Sequence, residues 1–575
     1  MALPVALHAV NSVAAQTPAA APPDAGLEGR TRGEGGELRI LQWQAPTALS
    51  QHSALGGKDN LASTLVLEPL MNFLPDATIV PRLVTQVPSH DNGLLAADNT
   101  SVTYTLREGI TWSDGEPFTA ADIRFTWEFV TDPQNSATTF ELYNVISDVE
   151  VEGDLTARLV FAEPQPAWYL PFSGSWWGAV LPRHVLEGGG ADAYQQFLTS
   201  PIGTGPYVVE SFTPGDQVTY VANENYRDPN KPFFSKVLLK GGGDAASAAR
   251  AVLETGEYDY AWNLQVEPEV LEQMAASGVG QLIANEGASL EQIYLNFSDP
   301  NTEVDGEYAS LEVPHPFLSD LDVRKAFAAA VDRETIVSQL YGAAGNVTTN
   351  VLVGIEHLES PNTSFVFDIE EANRLFDEAG WVRNGDYRAK DGVEMRVAYA
   401  TTVNQVRQKT QAIVKQGLEA IGVEVELRQV DAGVYFDSSA GNDQSYMHFY
   451  TDLGMSTANI DSPFPLSYMS SWYAGPNNAN VAQKANGWSG QNLSRYVSAE
   501  YDELFEAART EIDPERSAEL FIAMNDHLIE NQVIIPVVQR GDFLAVSSRI
   551  NADNLASGPF ETDYWNIENW VTLEA

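Results

Sequence analysis

Between residues 446 and 463 the sequence reads Tyr-Met-His-Phe-Tyr-Thr-Asp-Leu-Gly-Met-Ser-Thr-Ala-Asn-Ile-Asp-Ser-Pro, a concentration of rings, hydroxyls, an amide and two carboxylates. Asp452 and Asp461 are of a type that neutralises a ligand cation. Asn459 can accept a hydrogen bond from one but cannot cancel its charge. An unpaired charge enclosed in a protein is costly, so amide against carboxylate at one position decides which ligands fit. A second group follows at Asn486-Gly-Trp-Ser-Gly-Gln-Asn492 and Arg495. Trp488 stands between Gly487 and Ser489-Gly490, which predicts an exposed ring able to stack on a ligand or to pack its own loop. Arg495 has the fork geometry to hold a ligand carboxylate, or to pair with a local acid. These residue types bind; they do not by themselves react.

Patterns that react are missing. The sequence has no H-E-x-x-H, G-x-S-x-G, S-x-x-K, Walker loop or G-x-G-x-x-G. The Gly-rich string Pro201-Ile-Gly-Thr-Gly-Pro-Tyr207 lacks a following Lys and a helix start, so it does not read as a phosphate loop. The 8 His are scattered without metal-ligand spacing, and His448 is expected near a cleft as a hydrogen-bonding group. With 79 acidic residues, carboxylate pairs arise by chance and say nothing of glycosidase chemistry. Set against 32 Lys and Arg, they give a formal charge of −47, which repels phosphate backbones and anionic lipid. Solubility, or adaptation to salty surroundings, is the plain reading of that acidity. Cys is absent, which removes disulfides, thiolate sites and the Cys that carries a lipid anchor. No apolar run reaches the roughly 18 residues of a membrane span. Residues 1–16 are small and apolar with a Ser-Val-Ala cleavage-like site, although no Lys or Arg precedes them, and 17–36 read as a disordered spacer. Export is the expectation.

The elements that must position these groups alternate in type. Residues 37–43 and 102–112 alternate as strands, and 148–161 form a hairpin about Glu152-Gly-Asp. Residues 65–73 are apolar and helix-like until Pro69. Thr119 and Asp122 make a capping box after the Asp114-Gly115 turn. Ser319 with Asp322 opens a helix, and Asp332 caps a second one that Gly342 stops. Helices over 245–256, 369–381, 403–421, 500–509 and 514–530 interleave with strands over 257–262, 393–400, 422–430 and a short one over 533–538. Helix then strand, repeated, is the pattern of an α/β fold.

The run D-x-x-V-R-K-A-x-x-x-A-V-D-R-E-x-I from Asp320 to Ile336 resembles the segment opening the second lobe in extracytoplasmic solute-binding proteins of the peptide/nickel-binding family, the receptors of ABC importers. The strand, turn and helix over 102–129, the G-T-G-P-Y string and Trp488-x-x-x-Asn492 with Tyr501-Asp502 resemble that family in the same order. The resemblance implies an α/β fold like the type II periplasmic binding proteins, with two lobes of mixed sheet joined by hinge strands. Residues 1–36 would be signal remnant and spacer, 37–290 lobe one with an accessory subdomain over about 76–200, 291–525 lobe two, and 526–575 the return to lobe one. It implies cleft-lining positions at Trp43 and Gln44, at Trp262 and Asn263, and at Tyr294 and Asn296. In peptide-binding members W-x-x-D-x-x-x-P supplies an acid for the ligand ammonium. Here Asn459 takes the acid's place and Ser456 the tryptophan's, so that either Asp452 or Asp461 substitutes or the ligand lacks a free amino terminus.

The expected function is a soluble, exported, monomeric receptor that closes on an oligopeptide and delivers it to an ABC permease. No cofactor, metal, nucleic acid or membrane anchor is expected. An oligosaccharide is the alternative ligand, favoured by Trp43, Trp262, Trp488 and Asn459. A secreted hydrolase or a chaperone-like binder are the alternatives of other classes.

Overall fold

The computed structural model describes residues 29–573 apart from 55, 136, 437–440, 461 and 489. Among these, eleven strands join in one sheet that passes through two lobes. On the first flank Tyr207–Thr213, Gln217–Ala222 and Lys236–Gly241 are antiparallel neighbours. Lys236–Gly241 pairs in parallel with Glu37–Gln42, which pairs in parallel with Tyr260–Ala261. On the second flank Glu424–Val430 and Arg396–Thr402 run in parallel. Leu453–Asn459 lies against Arg396–Thr402 only at Leu453 and Gly454.

Two long antiparallel strands, Gly280–Leu295 and Ile534–Ser547, cross between the flanks. The far end of Ile534–Ser547 pairs with Tyr260–Ala261, while the far end of Gly280–Leu295 pairs with Leu453–Asn459. Each lobe has its own core. Leu38, Ile40, Tyr220 and Leu239 are buried in the first, and Phe327, Phe376, Tyr399 and Met455 in the second. A separate three-stranded sheet, Ser101–Thr105, Thr156–Phe161 and Ile146–Glu152, has a third core around Trp112, Tyr104 and Tyr143.

Local chemistry explains most boundaries. The Thr119 amide donates to Asp122 Oδ2 at 2.8 Å, which starts Ala120–Thr131 as the capping-box spacing predicts. Asp332 accepts from Thr335 N at 3.0 Å and opens Arg333–Ile336. At the preceding helix the predicted cap is displaced by one residue: Asp320 accepts from the Asp322 amide, while Ser319 Oγ donates back to the His315 carbonyl. Residues 65–70 are not helical; the helix Gly57–Thr64 ends before them and Met71–Phe73 is a strand. Gly203 explains the crowding there, since a Cβ at 203 would stand 1.9 Å from the Val66 carbonyl oxygen. The strand expected over 257–262 is only Tyr260–Ala261. The short strand expected over 533–538 is instead the 14-residue Ile534–Ser547.

The last residues return to lobe one. The Tyr564 and Trp570 rings lie 5.6 and 5.2 Å from that of Tyr260, and Glu568 pairs with Arg82. This wrap carries Glu561 and Asp563 to the edge of the space between the lobes. No helix of the described residues is long and apolar enough to cross a membrane.

Candidate functional site

A cleft separates the lobes, in two connected chambers of about 780 and 690 Å³. Both are bounded by Thr138, Leu142 and Trp177 from the first lobe and by Phe436, Thr457 and Asn459 from the second. Leu453–Asn459 ends in this space, and among the described residues its edge away from Gly280–Leu295 has no strand partner beyond Gly454. Aromatic walls come from several elements. Trp176 and Trp262 converge on Gly57, whose added Cβ would meet them at 3.5 and 3.4 Å. Phe436 is almost half exposed and meets the Tyr435 and Tyr446 rings edge-on. The first chamber adds Tyr294, Tyr446 and Tyr468 with Ser456, Ser462, Ser467, Ser470 and Ser471.

Charge enters the second chamber through the crossing strands and the C-terminal wrap. Arg407 Nε donates to Glu291 Oε1 at 2.8 Å and its Nη2 to Thr457 Oγ1 at 2.7 Å. Arg540 reaches Thr457 Oγ1 at 3.2 Å and Asp542 Oδ1 at 3.5 Å. Glu561 accepts from Asn72 Nδ2 at 2.9 Å, Phe73 N at 2.7 Å, Ser175 N at 2.7 Å and Ser175 Oγ. Burial outweighs those four donors and pushes the Glu561 carboxyl up to about 7. Burial, followed by the charge of Asp542, also pushes Asp563 up to about 7. The arrangement can enclose a ligand between aromatic walls and charged groups.

A sequence model of the bacterial extracellular solute-binding proteins, family 5 (middle region), matches residues 78–480. The chain belongs to that family. Among relatives, a Brucella ovis protein provisionally described as an ABC transporter peptide-binding protein is 27% identical over 345 residues, 59% of this chain. The chain spans 59% of that relative's length. NikZ of Campylobacter jejuni, solved with Ni(L-His), superposes with a TM-score of 0.73 at 22% identity, over 93% of this chain and 99% of NikZ. AppA of Bacillus subtilis, solved with a nonapeptide, gives 0.70 at 20% identity, over 94% and 99% of the two chains. These likenesses establish the type II periplasmic-binding-protein fold.

Within this family-5 cleft the sequence-derived candidates separate into three groups. Trp262 and Asn263 line the second chamber, Tyr294 the first, and Asn459 both. Asn459 Oδ1 accepts from Ser289 Oγ at 2.9 Å. Trp43 and Gln44 bound neither chamber: Trp43 Nε1 donates to the Asn263 carbonyl at 2.9 Å, and Gln44 is exposed. Asp461 lies outside the described residues.

Five others are structural. Asp452 is buried, with Oδ1 3.0 Å from His315 Nε2 and Oδ2 accepting from Ala398 N at 2.7 Å, so it cannot meet a ligand. Asn296 Nδ2 donates to the Phe449 and Thr451 carbonyls at 2.8 and 3.1 Å, and Asn492 Nδ2 to the Tyr496 carbonyl at 2.7 Å. Arg495 holds neither a ligand carboxylate nor a local acid; its Nη1 and Nη2 cap the Leu493 and His448 carbonyls at 2.8 and 2.7 Å. Trp488 is not an exposed platform: it is 7% exposed and its ring packs 4.0 Å from that of His448. His448 is fully buried with neither ring nitrogen hydrogen-bonded.

Sequence reasoning missed Trp176, Trp177, Phe436, Arg407, Arg540, Asp542, Glu561 and Asp563. The tandem Trp176-Trp177, between Ser175 and Gly178, was a signal available to it. The acids were hidden among the 79 acidic residues of the chain.

Proposed function

We propose that this protein is the receptor of an ABC importer, closing its two lobes about an oligopeptide and handing it unchanged to the permease. The observation that carries the ligand class is the open edge of Leu453–Asn459. The Met455 carbonyl is taken by Thr401 Oγ1 at 2.9 Å, and from Ser456 to Asn459 the strand offers backbone N–H and C=O groups inside the cleft, which an extended peptide can join as an added strand. Side-chain tolerance then comes from chamber volume and from water rather than fitted pockets. The names of the Brucella relative and of AppA support the same ligand class. Ligand contacting both lobes only when they shut shifts the population toward the closed form. On this reading the lobes divide at the crossing strands, with 37–290 and 526–575 in lobe one and 291–525 in lobe two.

The serine-lined, aromatic-walled first chamber favours one other occupant, an oligosaccharide stacked on the rings. One experiment separates the two. The purified protein is denatured and its released small molecules are identified by mass spectrometry. Intact peptides are expected; glycans would transfer the assignment, and hydrolysis products of added peptides would remove the receptor reading.

A further inference from the structure

We propose that the cleft takes a cationic ligand whose ammonium is bound by lobe one, at Asp563 with Asp542 beside it, and not by lobe two. The proposal deepens the oligopeptide reading by naming where a free amino terminus is held. Lobe two cannot supply the charge from its described residues: position 459 is an amide, and Asp452 is enclosed with His315 and Ala398. The other charges of the second chamber are already matched. Arg407 is paired with Glu291, Arg540 contacts Asp542 at 3.5 Å, and Glu561 is ringed by four donors. Asp563 has no Lys, Arg or His partner among the described residues. The chamber's balance is therefore negative, and an enclosed carboxylate without a counter-ion is the place where an incoming cation gains most.

A second observation points to a ligand in the same chamber. Gln51 lines it at 1% exposure, with neither Oε1 nor Nε2 hydrogen-bonded. A buried amide with both ends unmatched is costly, and a peptide group, which offers one donor and one acceptor, satisfies both ends. Trp262 and Trp176 supply apolar walls beside it.

The groups facing Asp563 are Asp542, Tyr260 and Tyr564, with Ser557 and Tyr260 hydrogen-bonded to it. With Asp563 held up at about 7, the free protein keeps a proton that an ammonium displaces. Affinity for a cationic ligand therefore rises as pH climbs through about 7 and falls as the carboxyl is protonated below it. The ligand-free protein behaves oppositely. Its folded carboxyl retains a proton that the unfolded chain releases, so stability declines as pH rises from about 4 to about 7.

The full chain is titrated by calorimetry with tri- to nona-alanine and with the N-acetylated series, across this pH range. Asp563→Asn is expected to weaken the free-amino peptides by about 30-fold, to spare the acetylated ones, and to abolish proton release. Asp542→Asn, which keeps the binding carboxylate, is expected to lower the pH midpoint and weaken the same peptides less. Wild-type affinity in Asp563→Asn, or the same loss appearing in Asp461→Asn instead, would overturn the proposal. In parallel, the small molecules carried from the host by wild type and by Asp563→Asn are compared by mass spectrometry. A non-peptide cation lost only from the variant would retire the oligopeptide reading and keep the cation site. Neutral compounds retained equally by both would overturn the site.

Discussion

At the scale of single residues, the decisive difference is between a side chain that faces the cleft and one that holds the wall behind it. Trp488 belongs to the second kind. Its backbone sits in the left-handed region at φ 57°, and a Cβ at Gly490 would stand 2.4 Å from the Asn480 carbonyl oxygen. Gly490 therefore serves close backbone approach and Gly487 a left-handed turn at φ 63°, where the sequence alone suggested exposure. Truncating a buried Trp removes large apolar contact and leaves a void. Trp488→Ala is expected to cost about 3–5 kcal/mol in denaturant unfolding while leaving affinity at temperatures where the variant is folded unchanged. An unchanged unfolding midpoint with lost binding would return Trp488 to the ligand. The amide at 459 was legible in the sequence because a short motif fixed its alignment. Arg495 was not, because an Arg capping carbonyls and an Arg awaiting a carboxylate have the same sequence context.

Elements were legible where local chemistry sets them. The capping box at Thr119 and the helix Pro514–Glu530 follow from side chains within one turn. The crossing strand Ile534–Ser547 was read too short because the middle of the crossing pair breaks the alternation that marks a strand. Ser289 pairs with Arg540 and Asn285 with Asp542, so two extra residues bulge from the first strand. Gly287 and Gly541 meet at that bulge; a Cβ on Gly541 would stand 1.8 Å from the Asn285 carbonyl oxygen, a backbone atom that cannot swing aside. The same bulge turns Asn285, Ser289, Arg540 and Asp542 toward the second chamber. Gly541→Ala is therefore expected to lower stability by about 1–3 kcal/mol and also to weaken ligand binding, because the forced shift moves charged lining residues. Unfolding curves and calorimetry on the one variant check both effects. Full affinity at reduced stability would show that the bulge shapes the hinge without shaping the site.

At the scale of the whole molecule, one property acts on folding and on binding with opposite sign. A formal charge of −47 sets like charges against one another throughout the fold and across the lobes, where ion pairs such as Lys409 with Glu267 and Arg509 with Glu163 are exposed. Such exposed pairs contribute little, so they do not offset the repulsion. Salt shortens the screening length from about 30 Å at 0.01 M to about 3 Å at 1 M. Self-repulsion falls over that range, and the melting temperature of the ligand-free protein is expected to rise. Capture of a cation runs the other way. A negative body draws a positively charged peptide inward and speeds its arrival, so screening is expected to cut its association rate by about tenfold over the same salt range. The N-acetylated peptide, with no ammonium to steer, should lose far less. Stopped-flow association and thermal unfolding in one salt series test both slopes together. If melting temperature and association rate rose together, the surface charge would be acting on lobe closure alone, and steering of a cationic ligand would have no part in how this cleft fills.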